Sequence, residues 1–140
     1  MTDPAKMVED ILIALQARNV RLNRPATVEE LHSLESLLDI KLHAFFFDLF
    51  SKFNGFISCD RKSQICIGST ADVISRSRTM KKLDGERRYA IGDVLIDSDF
   101  IMCALENDST PVFLLHEEKR LAPNIREFFE RLASGTFDFM

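Results

Sequence analysis

The run Thr27–Gly55, TVEELHSLESLLDIKLHAFFFDLFSKFNG, constrains the chain more than any other stretch. Its apolar residues recur at helical spacing on both sides of a short break, so it reads as two helices joined by a tight elbow. Thr27 and Glu30 form a capping box, in which each side chain satisfies an orphan backbone N–H of the first turn. Leu31, Leu34 and Leu38 share one face, Asp39 ends the turn, and Ile40 and Leu42 pin the elbow to a core. The second helix carries Phe46, Leu49, Phe50 and Phe53, and Asn54-Gly55 offers the left-handed residue that stops it. Nothing in this element carries chemistry. It is a scaffold.

The flanking segments divide cleanly. Asp3-Pro4 opens an N-terminal helix over residues 3–18 with the stripe Val8, Ile11, Leu12 and Leu15, and Asn19 stops it. Arg18, Arg21 and Arg24 then form a basic connection that reads as a solvated loop. After Gly55 the period shortens. Phe56-Ile57 begins a short strand, Asp60–Ser63 is a polar turn, and Gln64–Ile67 is a strand ending at Gly68. Ser69 or Thr70 caps a helix with Val73, Ile74 and Met80. Tyr89–Ile91 is a strand reaching Gly92, after which Asp93 and Asp97-Ser98-Asp99 interrupt it. Phe100–Leu105 and Val112–Leu115 are strands joined by a polar hairpin loop. Pro123 opens a closing helix with the stripe Ile125, Phe128, Phe129 and Leu132, ended by Ser134-Gly135. Helices, then short strands, then a helix predict an α+β fold in a single domain over 1–140. Its sheet is mainly antiparallel or mixed, with helices packed on one side and at the edges.

The chain is long enough to bury a core without staples. Twelve Phe against one Tyr and no Trp make Phe the large core filler. A net charge of −4 argues against a surface built for phosphate backbones, so no nucleic-acid partner is expected. Cys59, Cys66 and Cys103 lack any C-x-x-C pair, so neither a disulfide framework nor a zinc ribbon is indicated. Cys66 and Cys103 read as small buried hydrophobes. No leader-like start and no long apolar run occurs, which predicts a cytoplasmic protein with no membrane partner.

Candidate chemistry is thin. A triad Ser98–His116–Asp93 can be drawn, but no nucleophile elbow or Gly-rich oxyanion loop surrounds any serine. Asp93, Asp97 and Asp99 offer oxygen ligands, yet the spacing of a calcium loop is absent, and a turn stabilised by its own aspartates explains them as well. No phosphate-cradling Gly motif occurs. The reading is therefore no enzyme, no cofactor and no metal. Charge is distributed unevenly. Between Arg61 and Lys82 six Lys/Arg face one acid, Asp72, with no interleaved aromatics for base stacking. From Asp84 to Glu118 nine acids face two bases. Such carboxylates either steer a basic partner or keep sheet edges from pairing with other chains.

Several segments, taken in order, resemble the SUKH superfamily, proteins similar to the fungal cell-wall-assembly regulator and killer-toxin-resistance group. They are Thr27–Leu31, Leu34-Glu35, Ile40–Leu42, the Phe-rich helix ending Asn54-Gly55, Tyr89–Asp93, Pro111–Phe113 and Ala122–Leu132. The match spans about residues 27–135. His43 stands where the family usually has a proline, and Asp39 where a glycine is common. The resemblance implies an α+β fold without catalytic residues. It also implies an immunity protein that binds and neutralises a cognate polymorphic toxin, often a nuclease or deaminase. The alternatives are a regulatory scaffold for a host protein or, less in keeping with the residues, a small hydrolase. The candidate partner-binding surface is the acidic belt of Asp93, Asp97, Asp99, Glu106, Asp108, Glu117 and Glu118.

Overall fold

A computed structural model of the protein describes residues 4–83, 85–94, 99–117 and 119–137. Helix α1 (Pro4–Ala17) buries Val8, Ile11 and Leu15 and turns Ile13 outward. It closes at Asn19 (φ 64°), with the amides of Arg18 and Val20 bonded to Ala14 and Leu15 carbonyls. Helix α2 (Val28–Leu38) begins with the expected box: Thr27 Oγ1 accepts from the Glu30 amide at 3.1 Å, and Glu30 Oε1 accepts from the Thr27 amide at 3.0 Å. A cap of this kind contributes about 1 kcal/mol. Arg24 also grips the Glu30 carboxylate at 2.6 and 3.0 Å, and that bond lowers its pKa to about 2.

The elbow is fixed by polar atoms as well as by Leu42. Asp39 ends α2 in the left-handed conformation (φ 54°, ψ 54°), a geometry that a short polar side chain tolerates. Glu35 Oε2 then accepts from the Leu42 amide at 2.8 Å. Helix α3 (Ala44–Phe50) is capped by His43, whose Nδ1 accepts from the Phe46 amide at 3.2 Å. The His43 amide donates to the Leu105 carbonyl at 2.9 Å, a bond no proline could make. The helix stops at Phe50 rather than running to Phe53: the Ser51 amide and Oγ both donate to the Phe47 carbonyl at 3.0 and 2.7 Å, and the Lys52 amide reaches back only three residues, to the Leu49 carbonyl at 2.9 Å. Phe53 is buried all the same, since its amide still donates to the Leu49 carbonyl four residues back at 3.2 Å. Phe46 and Phe50 stack with ring centroids 4.2 Å apart. Burial of each such ring contributes about 1.5–3 kcal/mol.

The remaining elements are β1 (Ile65–Ile67), α4 (Thr70–Ser75), β2 (Lys81–Leu83), β3 (Glu86–Val94), β4 (Asp99–Cys103), β5 (Val112–Leu114), β6 (Arg120–Ala122) and α5 (Ile125–Ser134). The sheet runs β1-β3-β4-β5-β6, with β2 on the first part of β3, and curls into a half-barrel. Every pairing among these strands is antiparallel. The fold is thus the expected α+β, on the antiparallel side of the two sheet types considered. Helices α1 and α5 pack together, and α2 packs on α4.

Four local expectations change. Phe56 makes one isolated bridge to Leu22 instead of starting a strand. Helix α4, capped by Ser69 and Asp72, ends at Ser75, which leaves Met80 beyond it and exposed. Strand β3 does not stop at Gly92. The register shifts between Ala90 and Gly92, and a side chain at 92 would strike the Cys66 carbonyl. The glycine lets β1 approach and the strand continue to Val94. Finally, α5 is capped by Asn124, whose Oδ1 accepts from the Glu127 amide at 2.8 Å, so Pro123 belongs to the connection after β6.

Candidate functional site

Antiparallel pairing of β4 with β5 separates the acidic belt into two groups. Asp93 pairs with Phe100 across β3 and β4, so Asp93, Asp99 and Glu117 gather at the end where β4 begins and β5 finishes. Glu106 and Asp108 lie on the loop at the other end of the same hairpin. Strand β4 alone, Asp99–Cys103, spans roughly 13 Å at about 3.3 Å per residue. Asp97 and Glu118 lie outside the described residues.

Exposure differs as much as position. Asp99 is 5% exposed and accepts from the His116 amide at 2.8 Å, the Glu117 amide at 3.0 Å and its own neighbour Phe100 at 2.8 Å. Burial pushes its pKa up, but the three N–H groups outweigh that and hold it below the ordinary carboxylate range. This aspartate ties the β5–β6 turn to the start of β4. Asp93 is 8% exposed and faces the Arg76 guanidinium at 3.4 Å, which itself stands over the Phe100 ring. Asp108 is half-buried and paired with Arg126 at 2.5 Å. Glu106 and Glu117 are exposed.

The groups weighed for catalysis do not converge. His116 is exposed, and its backbone, not its ring, meets Asp99. Ser98 lies outside the described residues. Among those described, no group of three or more His, Cys, Asp or Glu stands close enough to hold a metal ion. Cys103 is buried, and burial pushes its thiol up to about 12. Cys66 is half-buried and also rises to about 12, through burial first and then the neighbouring Cys59 thiol. At neutral pH almost none of either is thiolate, the reactive form.

Two further residues give this region its shape. His43 has its pKa lowered by burial, so the ring is neutral and Nδ1 is free to act as the α3 cap. Through its amide it fastens the elbow to Leu105, two residues past β4 and beside Glu106. Asn107 Nδ2 donates to Glu86 Oε1 at 3.0 Å, and Glu86 pairs with the buried Arg88 at 3.0 Å. The sequence signals a cap at His43 only by its place before a helix, and signals the Glu86 link not at all.

No described helix is long and apolar enough to cross a membrane. No protein-family model matches the chain, and no curated protein matches it.

Proposed function

We propose that this protein is a non-catalytic protein-binding module, an immunity protein that binds and neutralises a cognate toxin domain of the nuclease or deaminase kind. One observation carries the reading. The residues through which the chain resembles the SUKH superfamily are framework residues in this fold, not reactive ones. Thr27 and Glu30 cap α2, Glu35 holds the Leu42 amide, and Gly92 makes room for β1. Gly55 (φ 80°) sits so close to Gly68 that an added Cβ would lie 2.5 Å from its carbonyl. A chain whose distinctive residues all build the platform leaves its exposed loops to do the recognising. The acids that face outward, Glu106 and Glu117 with the partly exposed Asp108, are the contact candidates that remain on such loops.

The test is inhibition of a toxin domain, where one is encoded beside this gene, titrated with purified protein. The expected result is loss of toxin activity at one equivalent, with association slowed by added salt. Toxin activity that survives a stoichiometric excess counts against the reading. A neighbouring gene for a cell-envelope or signalling protein, with no toxin, would favour the scaffold role.

A further inference from the structure

Arg18 and Arg21 of one basic run and Arg61 and Lys62 of the other, far apart along the chain, meet in one cleft. Residues 21–23 lie alongside residues 55–58: the Arg21 amide donates to Ser58 Oγ at 3.0 Å, and the Ile57 amide donates to the Arg21 carbonyl at 2.7 Å. The chain then turns through Asp60–Gln64, closed by the Gln64 amide on the Asp60 carbonyl at 2.8 Å, with Arg61 and Lys62 at its tip. Arg18 reaches this turn from the end of α1. Its Nη2 donates to Asp60 Oδ2 at 2.8 Å, and the same oxygen accepts from Ser63 Oγ at 2.6 Å. The resulting cleft has a volume of about 830 Å³ and is lined by Arg18, Asn19, Arg21, Ser58, Arg61 and Lys62, among others.

Charge does not cancel there. Asp60 is the cleft's carboxylate, 2% exposed and already neutralised by Arg18. The side chains of Arg21, Arg61 and Lys62 are exposed, and no hydrogen bond or ion pair to them is found among the described residues. The Nε–H of Arg18 is buried without an acceptor. Ser58 Oγ accepts a bond and keeps its own proton to donate. The α1 carbonyls that would repel an anion are partly occupied by the amides of Arg18, Asn19 and Val20. A cleft of this volume suits a small molecule rather than a folded partner. Guanidinium forks match phosphate oxygens, and the lining holds no aromatic ring on which a base could stack.

We propose that this cleft binds a small ligand carrying two or more phosphate charges, recognised through its phosphates alone. The site is independent of the partner reading above, since none of its lining residues belongs to the acidic set. Inorganic pyrophosphate titrated into the intact protein by calorimetry, at low salt, tests it. The expected result is saturable binding with one site per chain, weakened about tenfold or more in Arg21→Ala/Arg61→Ala/Lys62→Ala. Lys41→Ala/Lys52→Ala, altering exposed lysines outside the cleft, should bind as the natural protein does. Unchanged thermal melts would show that each variant is folded. Absence of binding at millimolar pyrophosphate overturns the proposal, as does equal affinity in the triple variant. An oligo-glutamate peptide of equal charge that binds as tightly would also overturn it, by showing that the cleft reads negative charge and not phosphate.

Discussion

The acidic loops and the basic cleft look opposite in sequence from what they are in three dimensions. The stretch from Asp84 to Glu118 is dense in carboxylates, but Asp93 and Asp99 are buried and bonded, and Asp108 is held by Arg126. The Arg18–Arg24 connection reads as an ordinary solvated loop. It nevertheless joins Arg61 and Lys62 around a cleft in which one cation is committed to Asp60 and three reach solvent. Charge counted along a chain is therefore a poor measure of charge offered to a partner. What decides is how many carboxylates the fold consumes as hydrogen-bond acceptors.

Asp60 and Asp99 sharpen that comparison, since one sits in each region. Asp60→Asn is expected to have the largest effect, a loss of about 2–3 kcal/mol in a urea melt, because it leaves the half-buried Arg18 guanidinium without its counter-charge. A loss below about 1 kcal/mol would mean that the pair is no latch between α1 and the turn. Asp99→Asn should cost less, about 1–2 kcal/mol, because its partners are neutral amides and the variant retains one acceptor oxygen. The reverse order would contradict the division of roles between the two carboxylates, one a counter-charge and the other an amide acceptor.

Acid dependence follows from the same groups. His43 is depressed by burial, so the unfolded chain takes up a proton that the folded ring resists, and stability begins to fall as pH drops below 6.5. Asp60 feels burial pushing it up, but the bonds from Arg18 and Ser63 win and hold it below its ordinary 3.8. Asp99 behaves likewise. The stabilisation from both is complete above the ordinary carboxylate range and is lost as pH falls through their folded values. Melting temperature followed against pH should show a shallow decline from His43 and a steep acid limb. The limb should flatten in Asp60→Asn and Asp99→Asn. An unchanged limb in both variants would place the acid sensitivity elsewhere.

The smallest effect on stability belongs to the outward acids. Glu106→Gln with Glu117→Gln should leave the melt within about 0.5 kcal/mol and alter only association with a basic partner. A large destabilisation would show that these carboxylates, too, are internal to the fold.

Local signals were the legible ones. The Thr27–Glu30 box, the Ser69 cap, the Gly135 stop and the stripes of α1, α2 and α5 each depend on residues close in sequence, and each stands where the pattern places it, whereas the stripes of α3 and α4 run past their helices at Phe53 and Met80. Strands β2 (KKL) and β6 (RLA) have no strand signal in the sequence because each begins with charge and lacks the apolar run that marks the equally short β1 (ICI) and β5 (VFL). Gly92 looked like a strand end because its reason for being glycine, the Cys66 carbonyl, comes from another strand. The burial of Asp99 depends on amides 17 and 18 residues away, and that of Asp60 on an arginine 42 away. Such partners become visible only once the register of the sheet and the path after α1 are known. The separation of Glu106 from Glu117 has the same origin: adjacency in sequence crosses a hairpin, and the hairpin puts its ends apart.

The proposed platform acts by being bound. The most direct test of that claim measures the activity of a toxin domain, if one is encoded beside this gene, against added protein, for the natural chain and for Glu106→Gln/Asp108→Asn/Glu117→Gln. Complete inhibition at one equivalent, weakened in the acid-depleted variant, is the predicted result. A toxin that stays fully active with the protein in excess, under conditions where the protein is folded, would contradict it.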